Sequence, residues 1–201
     1  MPSGAVVSCH LERPLDDDAW RRFDDLRRRF EVIALIRPPD PAFGEDEERW
    51  LERARTLDLL GLHTHWTSPT HARPTGGDPA ARVRRETEWM RERGLDPRWF
   101  CGGGWYSDDA VRATVGELGL VDCTPRSGKP APGVLPTTHS VGQLARAVLG
   151  PLPGYVHAYF HDYDLLDRRR RIVLSASLRV LGMRRSALAA SSASRKSHGT
   201  R

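Results

Sequence analysis

An α/β fold built around a parallel sheet is what this sequence predicts, and three observations predict it. Strand-length apolar runs alternate with amphipathic helical segments along most of the chain. The helical segments carry recognisable start and stop residues. The length, 201 residues, suits one domain around one core. We expect that domain to span residues 1–183, followed at 184–201 by a basic, Ser- and Ala-rich tail of disordered composition.

The first helix opens at Asp16 to Asp18 and carries Trp20, Phe23, Leu26 and Phe30 at steps of three and four, which place one apolar stripe toward a core. A second, over 45–58, repeats the pattern with Trp50, Ala54 and Leu57. Asp78-Pro79 reads as an N-cap followed by proline at the first helical position, and Gly94 ends that third helix. Ser107, Asp108 and Asp109 open a fourth, with Val111, Val115 and Leu118 ahead of Gly119. Segments 140–149 and 164–181 complete the helices, each followed by glycine. Between them, strands are expected at 5–11, 32–36, 59–64, 99–101, 120–123, 134–136 and 155–160. The stretch 126–133 joins two of these without a helix, so an ideal eightfold barrel is not expected.

Charge and composition narrow the function classes. The net charge is +5, but Arg184, Arg185, Arg195, Lys196 and Arg201 all lie in the tail, which has no acidic residue and leaves the body neutral. The body has no basic stripe with interleaved aromatics, so no nucleic-acid partner is expected. No apolar run approaches the roughly 20 residues that cross a bilayer, and no membrane association is expected. Cys9, Cys101 and Cys123 are widely spaced and odd in number, unlike a secreted disulfide framework or a CxxC zinc site, and a cytoplasmic location follows as the expectation. The oligomeric state is not legible.

The chemistry collects at strand ends. In parallel α/β folds the C-terminal ends of the strands open onto one face, where sites form. Seven of the eight histidines fall at or near such ends: His10 with Glu12, His63 and His65 with His71 behind them, His139, His157, and His161 beside Asp162. Alternation along a strand lets His63 and His65 point the same way. With Glu12 they form a candidate metal triad of two imidazoles and a carboxylate, which leaves a coordination position open for hydrolytic chemistry. His10 is a candidate proton acceptor, and His161 with Asp162 a candidate proton donor to a leaving group. His157 lies four residues before His161, about 13 Å away at ~3.3 Å per residue, and is expected to be a hydrogen-bonded core residue. In the run Phe100-Cys101-Gly102-Gly103-Gly104-Trp105-Tyr106, glycine permits close backbone approach, and Trp105 and Tyr106 are candidate sugar-stacking residues, with His139 a further substrate-binding candidate. No GxGxxG or GK[ST] fingerprint is present.

These residues resemble the polysaccharide deacetylase family, the NodB-homology group known as carbohydrate esterase family four, from about Val6 to Leu181. Leu60-Gly61-Leu62-His63-Thr64-His65 is similar to its metal-binding histidine motif; Gly94-Leu95-Asp96-Pro97-Arg98-Trp99-Phe100-Cys101 and Leu118-Gly119-Leu120 are similar to its central segments; His161 matches its closing histidine. The chain departs from the pattern at three places. Ser8-Cys9-His10-Leu11-Glu12 replaces T-F-D-D-G, keeping a carboxylate only at Glu12; Thr67 stands where the second motif histidine would be; Cys101 takes the place of an arginine. The resemblance implies an irregular (β/α) barrel of about seven strands, a divalent metal ion such as zinc, and removal of N- or O-acetyl groups from carbohydrate. We therefore expect a metal-dependent hydrolase acting on a carbohydrate or another small acetylated substrate. The alternatives are a non-catalytic carbohydrate-binding protein on the same barrel, and another amidohydrolase-type or phosphoesterase metal enzyme.

Overall fold

The computed structural model describes residues 4–151 and 153–181, so the expected tail lies outside the described residues. Six strands form one sheet: β1 (Gly4–Leu11), β2 (Ile33–Ile36), β3 (Leu60–Thr64), β4 (Trp99–Gly102), β5 (Val121–Asp122) and β6 (Tyr155–His161), in the order β5-β4-β3-β2-β1-β6. Every pairing is parallel. Their C-terminal ends therefore share one face of the curled sheet.

The strands alternate as a two-sided buried sheet requires. Val7, Cys9, Leu11, Ala34, Ile36, Leu62, Phe100, Val156, Ala158 and Phe160 enter the main core beneath the helices. Val6, Ile33, Leu35, Trp99, Cys101 and Cys123 pack with Leu135 into a second, smaller core on the concave side. The same period carries Ser8 and His10, Arg37, His63 and His65, and His157, Tyr159 and His161 along the concave face, above that apolar floor. Gly61 is required there, because a Cβ would stand 2.7 Å from the Leu35 side chain and 2.8 Å from the Trp99 carbonyl.

The helices are α1 (Asp17–Arg27), α2 (Glu47–Ala54), α3 (Pro79–Glu92), α4 (Asp109–Glu117), α5 (Val141–Ala147) and α6 (Arg168–Leu181). Asp16, Asp46, Asp78 and Asp108 each accept a backbone N–H from the first turn of α1 to α4, removing one orphan donor apiece. Phe23, Trp50, Val83 and Val111 then enter the core with no exposure. Fully burying a side chain such as Phe23 is worth about 1.5–3 kcal/mol.

Four expectations are corrected. The sheet has six strands, not seven. The strand expected at 134–136 is instead a bridging segment: Val134 pairs with Asp122 at one sheet edge, while His139 pairs with Ala158 at the other. Pro136 has no N–H to donate, which breaks any continuous ladder. The second helix starts at Glu47 rather than 45, because the Glu45 carboxylate is drawn to Arg37 and to the Asp40 N–H. Finally, α6 begins at Arg168, because 164 belongs to a 3-10 turn, Asp162–Leu165, whose Asp164 side chain accepts from the His161 N–H at 2.9 Å.

Candidate metal centre

Glu12 follows β1 directly, and its main chain is clamped from two sides. The buried Arg37 guanidinium donates to the Glu12 carbonyl at 3.2 Å while bonding Glu45 through both terminal nitrogens. The next N–H, of Arg13, donates to Asp162 at 2.6 Å, which ties the end of β1 to the end of β6.

Three imidazoles converge on the Glu12 side chain. The Nε2 atoms of His63 and His65 each lie 3.8 Å from Oε1, and that of His161 lies 3.6 Å away. One ligand atom from each of Glu12, His63 and His65 falls within 4.8 Å of the other two. Both histidines turn Nδ1 toward a backbone carbonyl, His63 to Cys101 at 3.0 Å and His65 to Pro69 at 2.9 Å. Nδ1 carries the proton in that arrangement, and the Nε2 lone pairs aim at Glu12. Neither Nε2 has a hydrogen-bond partner although both are buried. Buried polar nitrogens without partners are costly. A divalent cation would satisfy them together with the carboxylate, and the donor set of two imidazoles and one carboxylate suits zinc.

The electrostatics agree with that geometry. Burial by itself would raise the Glu12 carboxyl; the nearby His63, His65 and His161 side chains outweigh it and hold the group well below the carboxylate range. Burial lowers His63 and favours its neutral, ligating form. His10 is pushed well down, by burial first and then by His63 and His161. Its ring sits 4.7 Å from that of His63 and 5.0 Å from that of His161, and its Nε2 is also buried without a partner. His10, His63 and Cys101 form a second group with ligand atoms within 4.8 Å, sharing His63 with the first.

The remaining candidates divide. His161 faces Glu12 with Nε2, presents Nδ1 to Asp164 at 3.6 Å, and stacks on Tyr163 at 4.7 Å. Asp162 does not serve it: its two oxygens accept from the backbone N–H groups of Arg13 and Tyr163, and burial raises its carboxyl to about 6. Asp164 takes the place expected for Asp162. Proximity in sequence misled, because the 3-10 turn folds the third residue back onto the histidine rather than the first.

Trp105 lies 5.5 Å from His10 and 4.8 Å from Tyr159, ring to ring, at the mouth of the site. Tyr106 points elsewhere, packing on Trp66 and donating its hydroxyl to the cap residue Asp108 at 2.7 Å. Its expected place in a sugar wall is corrected to a packing role. His139 bonds Thr138 at 2.7 Å and is not among the side chains that gather with Glu12. His71 closes a tight exposed turn with Ser68 and likewise stands outside it. His157 is buried, with Nδ1 on the Leu135 carbonyl at 3.0 Å and Nε2 on the Ser8 hydroxyl at 2.9 Å. The glycine run is a packing turn: a Cβ on Gly103 would meet the carbonyls of Thr64 at 2.6 Å and Ala72 at 2.8 Å, and the His65 ring at 3.1 Å. Sequence reasoning missed Asp164, Tyr159 and Arg37; the alternation of β6 through His157 and His161 was the available signal for Tyr159.

No family model and no curated protein matches the sequence. Solved structures do match the fold. A family-four carbohydrate esterase (CE4) pseudoenzyme from Bacillus anthracis superposes with a TM-score of 0.58 over 90% of this chain at 12% identity, and this chain spans 61% of its length. A family-four carbohydrate esterase from Streptomyces lividans, in complex with acetate, superposes with a TM-score of 0.55 at 10% identity, over 90% of this chain and 88% of its own. The fold is therefore shared with these family-four carbohydrate esterase structures, at 10–12% identity.

Proposed function

We propose that this chain is a metal-dependent hydrolase that removes an acetyl group from a carbohydrate amide or ester, with Glu12, His63 and His65 as the ligands of a zinc-class ion. The observation that carries the reading is the pair of buried, unpartnered Nε2 atoms aimed at one carboxylate. An ion held there would supply positive charge for the carbonyl oxygen of the substrate.

The chain's own groups supply the rest. His10, whose ring stands 4.7 Å from that of His63, is the group we assign to accept a proton from the attacking water. His161 meets Glu12 through Nε2 and is oriented by Asp164 and Tyr163, and it is the group we assign to hand a proton to the departing nitrogen or oxygen. Arg170 donates to Asp164 at 2.5 Å and fixes that carboxylate in turn. Trp105 and Tyr159 form an aromatic wall on which a sugar ring can stack.

Acetate release from acetylated chito- and xylo-oligosaccharides, measured with zinc supplied, tests the activity. The wild type should bind about one zinc-class ion, and the double variant His63→Ala/His65→Ala should lose both ion and turnover; unchanged metal content in that variant would refute the site. The competing reading, sugar binding without turnover, is favoured by Cys101 standing where the family pattern has an arginine and by the spent oxygens of Asp162. Tight sugar binding by zinc-loaded protein with no acetate released would select it.

A further inference from the structure

The segment between Asp122 and Asp162 contains no acidic residue but carries Arg126, Lys129 and Arg146. Arg126 lies just past β5, in a loop pinned by the Thr137 N–H on the Pro125 carbonyl at 2.8 Å. Arginines elsewhere near the site, Arg37, Arg82 and Arg170, each hold a carboxylate. Arg126 holds none within 4.0 Å among the described residues; its guanidinium lies 4.8 Å over the Trp105 ring and 5.9 Å from that of Tyr159, and donates to the Tyr159 hydroxyl at 3.2 Å.

Those two rings are also the neighbours of His10, at 5.5 and 5.7 Å, and His10 is 4.7 Å from the ligand candidate His63. The cation thus stands one ring layer out from the reacting centre. Trp105 is held there at φ +61°, the one non-glycine residue with positive φ among the described residues. A bulky residue keeps that conformation only where its surroundings over-determine it. The guanidinium offers five N–H donors in a planar fork, and the Tyr159 hydroxyl occupies one. A flat fork on an aromatic face suits a planar carboxylate bound through two parallel hydrogen bonds. Among the described residues Arg126 is the one cation over these two rings, and its single charge matches that of a carboxylate.

We infer that Arg126 is a specificity residue that binds a carboxylate on the substrate, so that the sugar acetylated at the reacting position belongs to an acidic, uronate-type saccharide. This rests on the hydrolase reading above. The test compares acetylated oligogalacturonate with its methyl ester, which removes only the charge, on zinc-loaded wild type and on Arg126→Met, which keeps a side chain over Trp105. Binding is measured by calorimetry with the non-acetylated acid and ester, and turnover by acetate release.

The wild type should favour acid over ester by about tenfold or more in affinity, and Arg126→Met should bring the ratio to about one. Raised salt should shrink the wild-type preference. An acid-to-ester ratio of about one in the wild type, or a ratio unchanged in a folded Arg126→Met, overturns the inference. Absence of acetate from both substrates would count against the hydrolase reading alone, since the binding ratio still decides the carboxylate.

Discussion

Protonation of His157 should destabilise this protein, and the structure sets the size of the effect. The imidazole is buried between the Leu135 carbonyl and the Ser8 hydroxyl, and burial lowers it from 6.5 to about 4, against the opposing pull of the Leu135 and Pro136 backbone. The unfolded chain takes up this proton near 6.5, the folded chain only near 4. Stability from this group is therefore complete above 6.5 and falls as pH drops toward 4. At about 1.36 kcal/mol per pH unit the full loss is about 3 kcal/mol, of which about 2 kcal/mol is gone by roughly pH 5. Urea unfolding of wild type and His157→Gln, at roughly pH 7 and pH 5, isolates the contribution as the difference between the two pH dependences. The glutamine variant should lose about 2 kcal/mol less on acidification. Parallel pH profiles, or an imidazole of His157 that titrates by proton NMR near 6.5 in the native wild type, would refute the reasoning.

Gly103→Ala should drive a methyl group into two main-chain carbonyls that no rotamer change can move, costing about 1–3 kcal/mol and several degrees of Tm; a melt superimposable on wild type would show the turn to be looser than described. The same variant, by displacing the His65 ring, should weaken zinc by about 10–100-fold in competition titration. Glu12→Gln removes the only anionic member of the triad, so zinc affinity should fall by more than about 100-fold, and retained affinity would point to the His10, His63 and Cys101 group instead. Asp162→Asn turns one acceptor into a donor facing a backbone N–H, and should destabilise by about 1–3 kcal/mol as the β1 to β6 joint loosens, read by denaturant unfolding.

Much of the layout was legible because local rules sufficed. Asp16, Asp78 and Asp108 announced helix starts through short-range hydrogen bonding, and the parallel order followed from strands separated by helices. The gathering of Glu12, His63 and His65 was legible through position alone, since all three close strands that run the same way. What escaped required the third dimension. The choice between Asp162 and Asp164 depends on a 3-10 turn that brings the Asp164 carboxylate to His161 while Asp162 accepts from the Arg13 and Tyr163 backbone. Trp105 and Tyr106 diverge because the backbone passes through a left-handed step at Gly104 and Trp105. Residues 134–136 have strand composition, yet Pro136 limits them to isolated bridges between two edges. Arg126 gave no signal, as its role depends on rings brought in from β6 and the β4 turn.

His63 and His65 are steered by the carbonyl oxygens of Cys101 and Pro69, groups that every amino acid possesses. Evolution is then free to exchange the side chains at those two places, provided the main chain stays put. Saturation mutagenesis at position 101 should tolerate small apolar residues, because the side chain is buried in the concave core while what reaches the imidazole is peptide carbonyl. Such a design ties the orientation of both imidazoles to the course of the main chain rather than to the identity of two side chains.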